Sequence, residues 1–304
     1  MSAKKLPAVM AVTAAVALGA FALAGPAQAS ASTHQKNVRT GTAYRGAATG
    51  KAPALAPRAA LAVTTPKGYV VVKSGSLTAP ASVQTHGSVT CPTGKVPLGG
   101  GVFFSSGSVV ADINSSYPTA TGWAADVNNG STGSSSFIVY ATCSKKPGTA
   151  YHEASGTATT VNPGAQVSAT ATCATGKPVS GGVFSNSTSL AADLNTSIPV
   201  TNGWRIDANN GSASAETVTP YVVCANVTKY KIVIGTTTAS NPGTQTGATA
   251  TCTTAAPIGG GAFSSSGSTA VNLNTTYPVT GGWESFQNNN STSATSFIPY
   301  AVCG

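Results

Sequence analysis

Charge is scarce in this chain. Only 8% of residues are charged, with seven acids, three histidines and two methionines in 304 residues. So thin a supply of ionisable groups narrows the room for acid–base chemistry. A glycosidase needs two carboxylates flanking a cleft, and Asp112 with Asp126 is the one pair worth naming. His34 and His152 stand in unrelated contexts, and His86 faces Ser168 and Gly247 at equivalent positions. There is no G-x-S-x-G and no C-x-x-C. The glycine clusters "LGGGVFF" (98–104), "VSGGVFS" (179–185) and "IGGGAFS" (258–264) lack phosphate-loop spacing and lead into strand-like residues rather than a helix. They read as a tight turn or bulge lying under a large side chain. No amphipathic helical stripe with caps appears anywhere. The expectation is a protein that is not an enzyme and that uses no cofactor and no metal.

Long apolar runs are equally rare, with one exception. Lys4 and Lys5 precede an apolar stretch from Leu6 to Leu23, and "GPAQA" follows with small residues at Ala27 and Ala29. A charged start, an apolar middle and an A-x-A site predict a signal peptide over residues 1–29, and hence a secreted, extracellular chain with no transmembrane anchor after cleavage. The net charge of +9 is also localised. Eight of the 16 Lys and Arg residues precede Tyr69, and all seven acids follow it. The later part is nearly neutral, without the basic stripe a nucleic-acid surface requires. Residues 30–68 are basic and rich in Ala, Gly, Thr and Pro, which predicts a disordered linker. Its charges are too sparse for a strong binding arm, so a spacer is preferred to a tether on anionic wall polymers.

Against these absences stands a three-fold repeat. "DINSSYPTATGW" (112–123), "DLNTSIPVTNGW" (193–204) and "NLNTTYPVTGGW" (272–283) are one stretch with small edits. Trp123, Trp204 and Trp283 recur at near-constant spacing, each bracketed by two cysteines, and Tyr69, Tyr151 and Tyr230 open the units. The units are residues 69–143, 151–224 and 230–304. Only pairing within a unit treats all three alike, which predicts Cys91–Cys143, Cys173–Cys224 and Cys252–Cys303 in an oxidising compartment. "VSATATC" (167–173) alternates with period two. The fold class is therefore all-β: three tandem, small, disulfide-stapled β-sandwich-like domains after a disordered leader. Val139, Pro220 and Pro299 share one position in the last strand, and proline there implies an edge or a bulge.

Within the repeated stretch, alternation puts Leu273, Thr275 and Tyr277 on one face and Asn272, Asn274 and Thr276 on the other. Pro278 is expected to end the strand, with "VTGG" turning the chain into Trp283. The outward face is the candidate binding surface: Asp112, Asn114, Asp126 and Asn128 in the first repeat, Asp193, Asn195, Asp207 and Asn209 in the second. Such a ladder suits sugar hydroxyls or calcium, although Asn272, Asn274, Phe286 and Asn288 in the third repeat argue against a metal in every unit. The three indoles are expected in the core rather than as sugar platforms.

The pattern C-x-x-G-K…G-G-G…Y-P…G-W…N-N…Y-x-x-C resembles a repeat of secreted actinobacterial proteins. The third repeat departs from it with "TAA" for "TGK" (254–256), and the second with Ile198 for Tyr. The resemblance implies export and brings no activity, so it assigns no functional residue. The function expected is adhesion to the cell envelope or a polysaccharide through repeated weak sites, a cell-wall polymer being the partner. The alternative is a structural extracellular protein or a protein-partner binder, including an inhibitor of a secreted enzyme.

Overall fold

Short runs rich in Val, Thr and Ala, punctuated by Gly, Asn and Ser, favour extended structure with frequent turns. The computed structural model describes residues 64–304; the expected signal peptide and the expected linker up to residue 63 lie outside the described residues. Strands are the only regular elements there. The first repeat holds β1 (Val70–Lys73), β2 (Leu77–Ala79), β3 (Val83–Thr90), β4 (Val96–Phe104), β5 (Ala111–Thr119), β6 (Gly122–Asn129) and β7 (Ser135–Ser144). The second holds β8 (His152–Ser155), β9 (Thr159–Val161), β10 (Ala165–Thr172), β11 (Lys177–Ser185), β12 (Ala192–Val200), β13 (Gly203–Asn210) and β14 (Glu216–Ala225). The third holds β15 (Lys231–Ile234), β16 (Thr238–Ser240), β17 (Thr244–Thr251), β18 (Pro257–Ser264), β19 (Val271–Val279), β20 (Gly282–Asn289) and β21 (Thr295–Cys303).

Three tandem disulfide-stapled β units are present, but their sheets cross the repeat boundaries. One seven-stranded sheet joins β3, β6 and β5 to β11, β14, β8 and β9. A second joins β10, β13 and β12 to β18, β21, β15 and β16, and a third joins β17, β20 and β19 to β4, β7, β1 and β2. Each repeat thus lends three strands to one sheet and four to another, and the sharing closes into a ring. Within a repeat the two contributions lie against each other as sandwich layers. The disulfides Cys91–Cys143, Cys173–Cys224 and Cys252–Cys303 staple those layers, at sequence separations of 52, 51 and 51.

Each seam between repeats is narrow: one bridge pair, Ser116↔Val183, Ser197↔Ala262 or Thr276↔Val102. Hydroxyls extend it, with Thr275, Ser115 and Thr196 accepting at 3.0 Å from the backbone N–H of Phe104, Ser185 and Ser264. The glycine clusters make this approach possible. A Cβ at Gly101, Gly182 or Gly261 would overlap the carbonyl of Thr276, Ser116 or Ser197 across the seam. Gly100, Gly181 and Gly260 lie under Trp123, Trp204 and Trp283, beside a β-bulge, as the sequence suggests. The preceding positions, Gly99, Ser180 and Gly259, converge so closely that only one of the three carries a side chain.

Three tyrosines close the ring in order. Tyr151 donates to the carbonyl of Pro97, Tyr230 to that of Pro178 and Tyr69 to that of Pro257, at 2.9, 3.0 and 2.5 Å. Residues 64–68, expected in the linker, already belong to the fold. Thr64 forms a parallel bridge with Ala255 and exchanges backbone hydrogen bonds with Thr254 and Ala256. The third repeat's departure to "TAA" falls where this incoming segment docks.

Two local expectations are corrected. Pro278 does not end its strand: it pairs with Trp283, and the turn is Thr280–Gly281, with Gly281 at φ +73°. Pro220 and Pro299 are not on edge strands either, since β14 and β21 are paired on both sides. They sit opposite the break between the two short outer strands, where no ladder N–H is needed.

Candidate functional site

A bulge decides where the Asp and Asn residues go. The β5–β6 register slips between Ile113 and Ser115, and the same slip recurs at Leu194/Thr196 and Leu273/Thr275. One extra residue reverses the alternation beyond it. Thr276 therefore comes to the side of the Trp283 indole, which donates to its hydroxyl at 2.7 Å. Tyr277 turns to the other side.

The expected outward ladder is mostly an inward one. Asp112, Asn114 and Asn128, Asp193, Asn195 and Asn209, and Asn272, Asn274 and Asn288 are all buried; Asp193, the most accessible, keeps 6%. Their amides bind the repeats to one another. Asn114 and Asn128 donate to the Ala192 carbonyl at 2.9 and 2.8 Å. Asn195 and Asn209 donate to Val271 at 2.7 and 2.9 Å, and Asn274 and Asn288 to Ala111 at 2.6 and 2.8 Å. Neighbouring hairpins cover these groups, and no count of alternation within one strand conveys that.

Where the three hairpins meet, Asp112, Asp193 and Asn272 face one another. Each takes a hydrogen bond on one oxygen from the asparagine of its own repeat, Asn128, Asn209 or Asn288, at 2.9, 2.8 and 3.0 Å. The Asn272 amide then points at both carboxylates, 3.5 Å from Asp112 and 3.4 Å from Asp193. Burial pushes Asp112 up to about 8, against the hydrogen bond from Asn128. Burial, reinforced by the charge of Asp112, holds Asp193 well above the usual carboxylate range.

Asp126 and Asp207 lie apart from this cluster. Asp126 sits 2.8 Å from His86 Nδ1, on a half-exposed face. Asp207, expected on the surface, is buried: Arg205 grips both its oxygens at 2.9 and 2.8 Å, and Ser168 donates to it. In the third repeat Gly247 makes room for Phe286 at that place. The indoles are fully buried, each donating to a Ser or Thr hydroxyl at 2.7–2.9 Å. Among the described residues, no group of three His, Cys, Asp or Glu side chains could hold a metal ion.

Sequence reasoning missed a set of aromatic clusters beside the seams. Tyr117 lies 5.3 Å from Phe184 and 5.8 Å from Tyr221, ring centre to ring centre. At the equivalent seam Tyr277 lies 5.4 Å from Phe103 and 5.2 Å from Tyr140, and its hydroxyl is bound to Glu284. At the remaining seam Ile198 replaces the first tyrosine, and the Arg205 guanidinium covers Phe263 at 5.8 Å. Phe184, 36% exposed, is the open member. The signal was in the sequence, as a Phe after each glycine cluster and a Tyr three residues before each last cysteine. Only the strand order shows that the two come from one repeat and the Tyr or Ile beside them from another.

No family model matches the chain, and no curated protein is similar to it.

Proposed function

We propose that the protein is a secreted, non-enzymatic binding protein that adheres to the cell envelope or to polysaccharide through weak contacts repeated around the ring. The observation that carries this reading is the recurrence of a Phe at every seam, set in an aromatic cluster at two of them and under the Arg205 guanidinium at the third, with Phe184 presenting its ring to solvent beside Tyr117 and Tyr221. Aromatic faces suit the apolar faces of sugar rings, and phenol hydroxyls supply polar contacts at their edge. Three disulfides support an oxidising compartment. The two carboxylates that come together are enclosed, which fits a binder better than a hydrolase. Several weak sites on one chain raise avidity by roughly 10²–10⁴-fold when they engage together.

Retention on insoluble cell wall, chitin and cellulose tests this. Phe184→Ala is expected to lose most retention while changing stability by no more than about 1 kcal/mol, as partly exposed positions do. Failure of the unaltered protein to bind any of the three, with a protein partner recovered instead, refutes the reading in favour of a protein-binding role.

A further inference from the structure

The ring closes on a pair of acids. Asp112 comes from the first repeat and Asp193 from the second, and both reach the amide of Asn272 from the third. Neither takes part in an ion pair among the described residues, where the pairs are His86–Asp126 and Arg205–Asp207. The groups facing Asp112 are Asn128, Asn272 and Asp193; those facing Asp193 are Asn209, Asn272, Asp112 and, by its charge, Glu216 of β14. Glu216 is itself buried, with one carboxyl oxygen unpartnered. Among the described residues the site therefore holds amides and acids and no cation to balance a second negative charge.

We propose that Asp112, Asp193 and Asn272 form a proton-held clasp, which fastens the three repeats most tightly in acidic surroundings and loosens as the medium turns alkaline. Two carboxylates enclosed this closely cannot both ionise without large cost, so the folded protein keeps at least one proton in the pair. An unfolded chain releases the same protons near pH ~3.9. The folded state therefore binds more protons over the interval from that value up to about 8, where burial has placed Asp112. Stability from this source is complete below the unfolded value, falls as pH rises through the interval, and is gone above it. The clasp joins all three repeats, so its loosening acts on the seams and not on any one disulfide-stapled unit. It stands whether or not the outer faces bind sugar.

The third repeat supplies the control. Asn272 accepts from Asn288 as Asp112 accepts from Asn128, so Asp112→Asn has a hydrogen-bonded precedent within the chain. Melting of the full-length protein is compared with that of Asp112→Asn from about pH 5 to about pH 9, a range spanning the expected loss. The melting temperature of the unaltered protein is expected to fall across this range. Asp112→Asn should give a flatter profile and melt higher at the alkaline end. Parallel profiles for the two proteins overturn the proposal. Should Asp112→Asn fail to fold, carbon-13 NMR of the aspartate carboxyls in the unaltered protein decides. A midpoint near or above neutrality for one of the pair supports the clasp, and ordinary acidic midpoints for both refute it.

Discussion

Trp204 shows how much rests on single side chains. Its indole is fully buried, lies over Gly181 and donates to Ser197 at 2.8 Å. Trp204→Ala should cost about 3–5 kcal/mol, read from urea unfolding; a loss below about 1 kcal/mol would show that the site collapses or that the indole is not structural. Asn272 is equally exposed to test. Asn272→Asp would set a third carboxyl beside two acids and remove the amide that both face. Leaving buried polar groups without their donor should destabilise by about 1–3 kcal/mol, and more as pH rises. Equal stability at acid and alkaline pH would contradict this.

Among elements, the outer strand pairs reveal a matched choice of residues. In the first repeat the N–H of Val139 donates to the Ser74 hydroxyl at 3.1 Å. In the other repeats proline stands in place of valine, has no N–H to offer, and glycine stands in place of serine. A Cβ at Gly156 would lie 2.8 Å from the Pro220 ring, and one at Gly235 2.6 Å from Pro299. Val139→Pro alone should therefore cost about 1–3 kcal/mol through crowding against Ser74. Adding Ser74→Gly should recover part of that, a coupling of about 0.5–3 kcal/mol in a double-mutant cycle. Strict additivity would mean that the two positions do not sense each other.

For the whole molecule, shared sheets predict cooperation. No repeat completes a sheet alone, so calorimetry should show one transition in which calorimetric and van't Hoff enthalpies agree. Replacing Cys173 and Cys224 together by alanine should remove about 4 kcal/mol, the chain-entropy value for a loop of that length, and shift the single transition as a unit. Separate melting of one repeat would refute a closed ring.

What the sequence by itself determined is the inventory: three copies, the disulfide pairing, the β class, the glycines beneath the indoles and the burial of those indoles. These follow from spacing and from side-chain size, which are local or repeated properties. Tertiary structure alone decided which strands pair across repeats, and with that the fate of Asp112, Asp193 and their asparagines. Alternation tells which residues share a side of a strand, and a single bulge at Asn114 already upsets that. It says nothing of what covers the side. Polar side chains that look solvated in one hairpin become interior here because two other hairpins bring carbonyls and amides to satisfy them. Burial is a property of the closed ring, and three copies of one strand pattern do not state how they close.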